Sequence, residues 1–158
     1  MALREVEFTS PEPRRPVGIV VFDQEREKVL LVQHGPKAQR KEGTLGVPAG
    51  RPKGDETQEQ AAIREFYEET GLVTSIDNLI KLSSSPYLGV NSRETGPKKY
   101  SIDVFVATIY QGELQKTDKS KPWEARPIWA RIDTLARRRR MLMPSVIKIV
   151  NDGLDTIK

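Results

Sequence analysis

The run from Thr57 to Thr70 constrains the rest of the chain more than any other stretch. Asp55 or Thr57 stands ready to cap its start and Gly71 sits where a left-handed C-terminal cap is expected, so the run reads as one helix. At about 100° per residue, Glu65, Glu68 and Glu69 share a face, Ile63 and Tyr67 lie opposite them and Phe66 lies on the flank. Short apolar runs offer the cover such a helix needs. Val17 to Phe22 and Val29 to Val32 read as buried strands joined by a hairpin turn over Asp23 to Lys28. Leu45 to Gly50 reads as a loop feeding the helix. Further on, Lys81 to Val90, Tyr100 to Tyr110 and Arg126 to Arg131 read as strands. The second of these places Ile102, Val104 and Val106 on one face and Ser101, Asp103 and Phe105 on the other. Asp133 is set to cap a brief helix that ends in Arg137 to Arg140, and Pro144 to open a last helix with Val146, Val150, Leu154 and Ile157 on one face. The fold class expected is α/β: a mixed sheet covered by helices on both faces.

At 158 residues the chain has the size of a single globular domain. Ser10 to Pro13 marks residues 1–15 as a loosely attached arm, which leaves residues 16–158 for the domain. There is no cysteine, which removes disulfides, thiolate metal sites and cysteine nucleophiles, and the one histidine, His34, weakens histidine-based catalysis. If there is catalysis, carboxylates must carry most of it. The net charge of +4 suits anionic small molecules better than nucleic acid as partner. Arg4, Glu5, Glu7 and Glu12 interrupt the apolar run that a signal peptide needs, and no stretch reaches the roughly 18 apolar residues of a membrane span. A cytoplasmic protein with no membrane partner is the expectation; a homodimer is compatible with the sequence.

Carboxylates at i, i+3 and i+4 repel one another, each like-charge pair costing roughly 0.2–0.5 kcal/mol on a helix. A hard divalent cation converts that repulsion into binding, because it takes oxygen ligands. The plainer alternative is a solvated face on which Arg64 and Glu68 pair at i, i+4.

The surroundings of the helix bear on that choice. From Gly50 to Leu72 the chain reads G-x5-E-x7-R-E-U-x-E-E-x-G-U, with U apolar: Gly50, Glu56, Arg64, Glu65, Glu68, Glu69 and Gly71 are identical to the pattern and Phe66 and Leu72 fill its apolar positions. This resembles the box of the Nudix hydrolases. The resemblance implies an α/β/α sandwich with a mixed sheet, and cleavage of a nucleoside diphosphate linked to another group by attack of water. It further implies that Glu65, Glu68 and Glu69 hold Mg²⁺, with Mn²⁺ a possible substitute, and that the Gly50 carbonyl is a further ligand. Glu56 and Arg64 would form the ion pair fixing the loop to the helix, and Gly71 would end the helix with a positive φ. Glu65 and Glu69 are candidates for the general base. So is Glu124, which lies five residues before Trp129, because many relatives carry an acidic loop residue in such a place.

Lys37, Arg40 and Arg51 are the candidates to meet substrate phosphates, beside the plainer reading of a solvated basic loop. Arg137 to Arg140 complement a helix terminus and are expected to stay outside small-nucleotide turnover. The substrate class expected is nucleotide-derived: ADP-ribose, a nucleoside diphosphate sugar, a dinucleoside polyphosphate or a (d)NTP. Pro48-Ala49-Gly50 resembles the lead-in of ADP-ribose and sugar-nucleotide hydrolases, while Gly46 stands where these often carry glutamate, and the adjacent Pro86 and Tyr87 satisfy two competing rules at once. Two alternatives stay open: an RNA 5′-end pyrophosphohydrolase and a non-catalytic nucleotide-sensing module.

Overall fold

Val17–Val20 (β1) is buried at all four positions, and a strand with no solvent face needs partners on its edges and cover on both faces. The computed structural model describes residues 14–35, 43–93, 96–116 and 125–158 and supplies both. On one edge β1 runs parallel to Gly96–Ala107 (β7), and on the other it pairs antiparallel with Ala49–Gly50 (β4). Leu79–Lys81 (β5) and Tyr87–Arg93 (β6) lie antiparallel on different stretches of β7 and complete a five-stranded mixed sheet. A second, antiparallel sheet places Lys28–His34 (β2) between Leu45–Gly46 (β3) and Ala125–Arg131 (β8).

Alternation along β1 divides the core. Val17, Ile19 and Val21 pack with Leu30 and Phe105 against Ala61, Ala62 and Phe66 of the helix Gln58–Thr70 (α1). Val20 and Phe22 turn the other way, with Val104 and Val106, toward Val146, Ile149 and Val150 of the helix Val146–Thr156 (α2). Tyr87 adds a polar tie, its hydroxyl donating to Asp152 of α2 at 2.7 Å. The result is the α/β/α arrangement that the box implies. Among the described residues no helix is long and apolar enough to cross a membrane.

Several local expectations need correction. The strands read as one hairpin meet only where Phe22 bridges Val29, and then enter different sheets. The segment read as a loop, Leu45 to Gly50, contains β3 and β4, one in each sheet, and the Pro48 carbonyl between them accepts the Ile19 N–H at 3.0 Å. Lys81 to Val90 is two strands, because Pro86 has no N–H to give a ladder. Asp133 caps nothing: it lies inside a 3₁₀ segment, Ile132–Met141, and pairs with Arg131 at 2.8 Å instead. Pro144 precedes the cap residue Ser145, whose φ is 73°.

Candidate active site

Helix α1 starts from reciprocal bonds. The Gln60 N–H donates to Thr57 Oγ1 at 3.1 Å, and the Thr57 N–H to Gln60 Oε1 at 2.9 Å, so Thr57 and not Asp55 is the cap. Gly71, at φ 84°, closes the other end with its N–H on the Tyr67 carbonyl. The buried stripe is Ala61, Ala62, Phe66 and Thr70, whereas Tyr67 is 58% exposed. The side opposite the carboxylates is thus not the packed one. Phe66, on the flank, is the anchor, and this places Glu65 and Glu69 at the border of the core and leaves Glu68 facing outward.

Glu65 lies across Gly50 so closely that a Cβ there would come within 2.1 Å of its carboxyl carbon. Burial pushes the Glu65 carboxyl above the usual range, against the lowering influence of Arg64. Glu69 is held from the same strand: its Oε1 accepts the Ala49 N–H at 2.6 Å. At the helix end, Gln115 Nε2 donates to the carbonyls of Glu68 and Glu69.

Arg64 joins loop and helix. Its Nε and Nη2 donate to the two oxygens of Glu56 at 2.7 and 3.0 Å, a bidentate pair, and Nη2 also reaches the Arg51 carbonyl. Nη1 donates to Glu65 at 2.8 Å and approaches Glu68 at 3.2 Å. Glu56 further accepts the Lys53 N–H, and the hydrogen bonds from Arg64 and Lys53 bring its carboxyl down to about 2. The bond from Arg64 to Glu68 is the i, i+4 pair of the plainer reading, and it coexists with the bonds to Glu56 and Glu65.

The side chains at 65, 68 and 69 and the Gly50 carbonyl are all hard oxygen donors, and a desolvated carboxylate such as Glu65 is one that a cation would relieve. The donor set therefore fits a hard divalent metal. Among the described residues, however, no three acidic or histidine side chains are already grouped to hold one, and the positive charge next to Glu65 and Glu68 is the Arg64 guanidinium.

Of the other residues singled out, Arg51 points its Nη1 at the Arg14 carbonyl, at 3.0 Å. Lys37, Arg40 and Glu124 lie outside the described residues. His34 is buried in the wall of a small cavity of about 30 Å³, which it shares with Gly46, Ala49, Tyr100 and Met143. Ala49 connects this cavity to Glu69. Sequence reasoning missed two residues. Asp103, buried on β7, accepts from Gln58 Nε2 at 2.6 Å and lies near Arg15 and Lys81, tying the start of α1 to the sheet; its signal was the one charge in the run Tyr100 to Tyr110. Arg14 bonds backbone carbonyls, a contact that leaves no signature in sequence.

A family model described as the NUDIX domain matches residues 12–149, a span that includes all of α1. The chain belongs to the NUDIX family. An ADP-ribose pyrophosphatase of Methanocaldococcus jannaschii is 32% identical to it over 108 residues, 68% of this chain and 57% of that protein. This chain thus spans little more than half the length of that curated relative. Among solved structures, the NUDIX domain of Shewanella oneidensis NrtR complexed with ADP ribose superposes with a TM-score of 0.67 at 19% identity, covering 100% of this chain and 99% of that one. A MutT/nudix family protein from Enterococcus faecalis superposes at 0.65 and 20% identity, covering 99% and 67%. At these identities the structures speak for the fold.

Proposed function

We propose that this NUDIX chain is a Mg²⁺- or Mn²⁺-dependent pyrophosphohydrolase that cleaves a nucleoside diphosphate linked to another group, with ADP-ribose the first substrate to test. The observation that carries the reading is the joining of the carboxylate helix to the segment ahead of it: Glu65 on Gly50, Glu69 on the Ala49 N–H, and Glu56 to the helix through Arg64. A solvated face has no need of such fixing. The name of the M. jannaschii relative supports the substrate class.

In this reading Glu65, Glu68, Glu69 and the Gly50 carbonyl hold the metal. When bound, it screens the phosphate oxygens and lowers the pKa of water. Arg64 keeps Glu65 oriented, and Glu65, Glu69 or Glu124 accepts the proton of the attacking water. Lys37, Arg40 and Arg51 meet the phosphates. The NrtR domain with ADP ribose bound motivates a second reading, a module that binds this ligand without cleaving it. The complete carboxylate set favours cleavage.

The test is turnover by purified protein with Mg²⁺ or Mn²⁺ on ADP-ribose, nucleoside diphosphate sugars, dinucleoside polyphosphates and (d)NTPs. ADP-ribose is expected to give AMP and ribose 5-phosphate, with activity lost in EDTA. Full activity in EDTA would overturn the metal role. Tight binding of ADP-ribose with no turnover of any substrate would favour the module.

A further inference from the structure

The segment ahead of β1 is built into the site. Arg14 donates from Nη1 to the Glu56 carbonyl at 2.6 Å and from Nη2 to the Gly54 carbonyl, so one planar guanidinium grips two carbonyls of the loop before α1. Arg51, from that same loop, returns a bond to the Arg14 carbonyl. The next residues are held as well: Arg15 faces the buried Asp103 carboxylate at 3.4 Å, and the Pro16 carbonyl accepts the Asp103 N–H. The gripped loop turns at Gly54, φ 53°, where a Cβ would meet nothing within 4 Å, so side-chain packing does not hold it there. Yet it carries Glu56, the residue that orients Arg64.

We propose that Arg14 is a positioning residue for the carboxylate site: by clamping the Gly54 and Glu56 carbonyls it sets the Glu56 side chain, through which Arg64 aims Glu65 and Glu68. The catalytic part of this role rests on the pyrophosphohydrolase reading above; the clamping of the loop does not. A lysine at position 14 keeps the charge but cannot reproduce a two-pronged planar donor, and an alanine supplies no donor.

The experiment compares wild type, Arg14→Lys and Arg14→Ala by amide hydrogen exchange and by kinetics. The Lys53 and Glu56 amides, bonded to Glu56 Oε1 and the Lys53 carbonyl, are expected to exchange about tenfold faster in Arg14→Ala, with those of β1 and the middle of α1 unchanged. The kcat is expected to fall about tenfold at nearly constant KM, with Arg14→Lys intermediate, since misplacement of aligned groups acts on the chemical step. In an Arg64→Lys background, Arg14→Ala is expected to cost far less, because the clamp acts through Arg64. Unchanged exchange at Lys53 and Glu56 in both variants would overturn the clamp whatever the activity. Faster exchange with unchanged kcat, or an equal fold-loss in both backgrounds, would overturn the positioning role and leave the pyrophosphohydrolase reading standing. If wild type turns over none of the substrates, that reading fails instead, and the exchange measurement still decides the clamp.

Discussion

A Cβ at position 50 would overlap the end of the Glu65 side chain, not backbone. The cheapest response to Gly50→Ala is therefore for Glu65 to swing away while the fold stays intact. In the proposed enzyme, Gly50→Ala is expected to lower kcat by about one to two orders of magnitude, with the melting temperature nearly unchanged. Kinetics beside thermal denaturation check this, and wild-type turnover would mean that Glu65 does not act from this position. The resemblance pointed to the Gly50 carbonyl. It did not reveal the room the glycine makes for Glu65, because the close approach of a strand residue to a helix residue is not written in their spacing. Thr57 and Gly71 were legible for the opposite reason: capping is decided within one turn of the chain.

At the scale of elements, the loop from Arg51 to Glu56 and helix α1 form a unit through the Glu56–Arg64 pair. The Glu56 carboxyl is held down at about 2 by hydrogen bonds from Arg64 and Lys53. A carboxylate whose pKa is depressed on folding stabilises the fold above its unfolded value, and that contribution is lost as pH falls toward the folded one. Glu65 works in the opposite sense, since burial raises its pKa and the folded chain takes its proton more readily. Glu56→Gln should thus be less stable than wild type at neutral pH, and the gap should narrow as pH falls from about 4.5 toward 2. Denaturant unfolding across pH measures it; a constant gap would show that the pair does not couple loop to helix. The choice of buried face on α1 escaped sequence reasoning. Ala61 and Ala62 carry little apolar signal, yet their small size lets the helix approach the sheet, while the more conspicuous Tyr67 stays outside.

At the scale of the whole molecule, Phe66 and Ile149 belong to core clusters that include opposite helices. Phe66→Ala is expected to cost about 3–5 kcal/mol and Ile149→Ala about 2–5 kcal/mol. Because β1, β2 and β7 each give residues to both clusters, each variant should still unfold in a single transition, as calorimetry can check. Two separate transitions would mean that the shared strands do not couple the halves. The sequence alone determined the α/β class, the extent of α1 and which carboxylates share its turns, because periodicity, capping and the box pattern are properties of neighbouring residues. Tertiary structure decided the rest. Whether β1 and β2 share a sheet, which side of α1 is packed, how a segment as short as Leu45 to Gly50 serves both sheets and that Arg14 grips the loop of the site all depend on groups far apart in the chain. Backbone hydrogen bonds and desolvation act on whatever is near in space, and only the folded chain determines what is near.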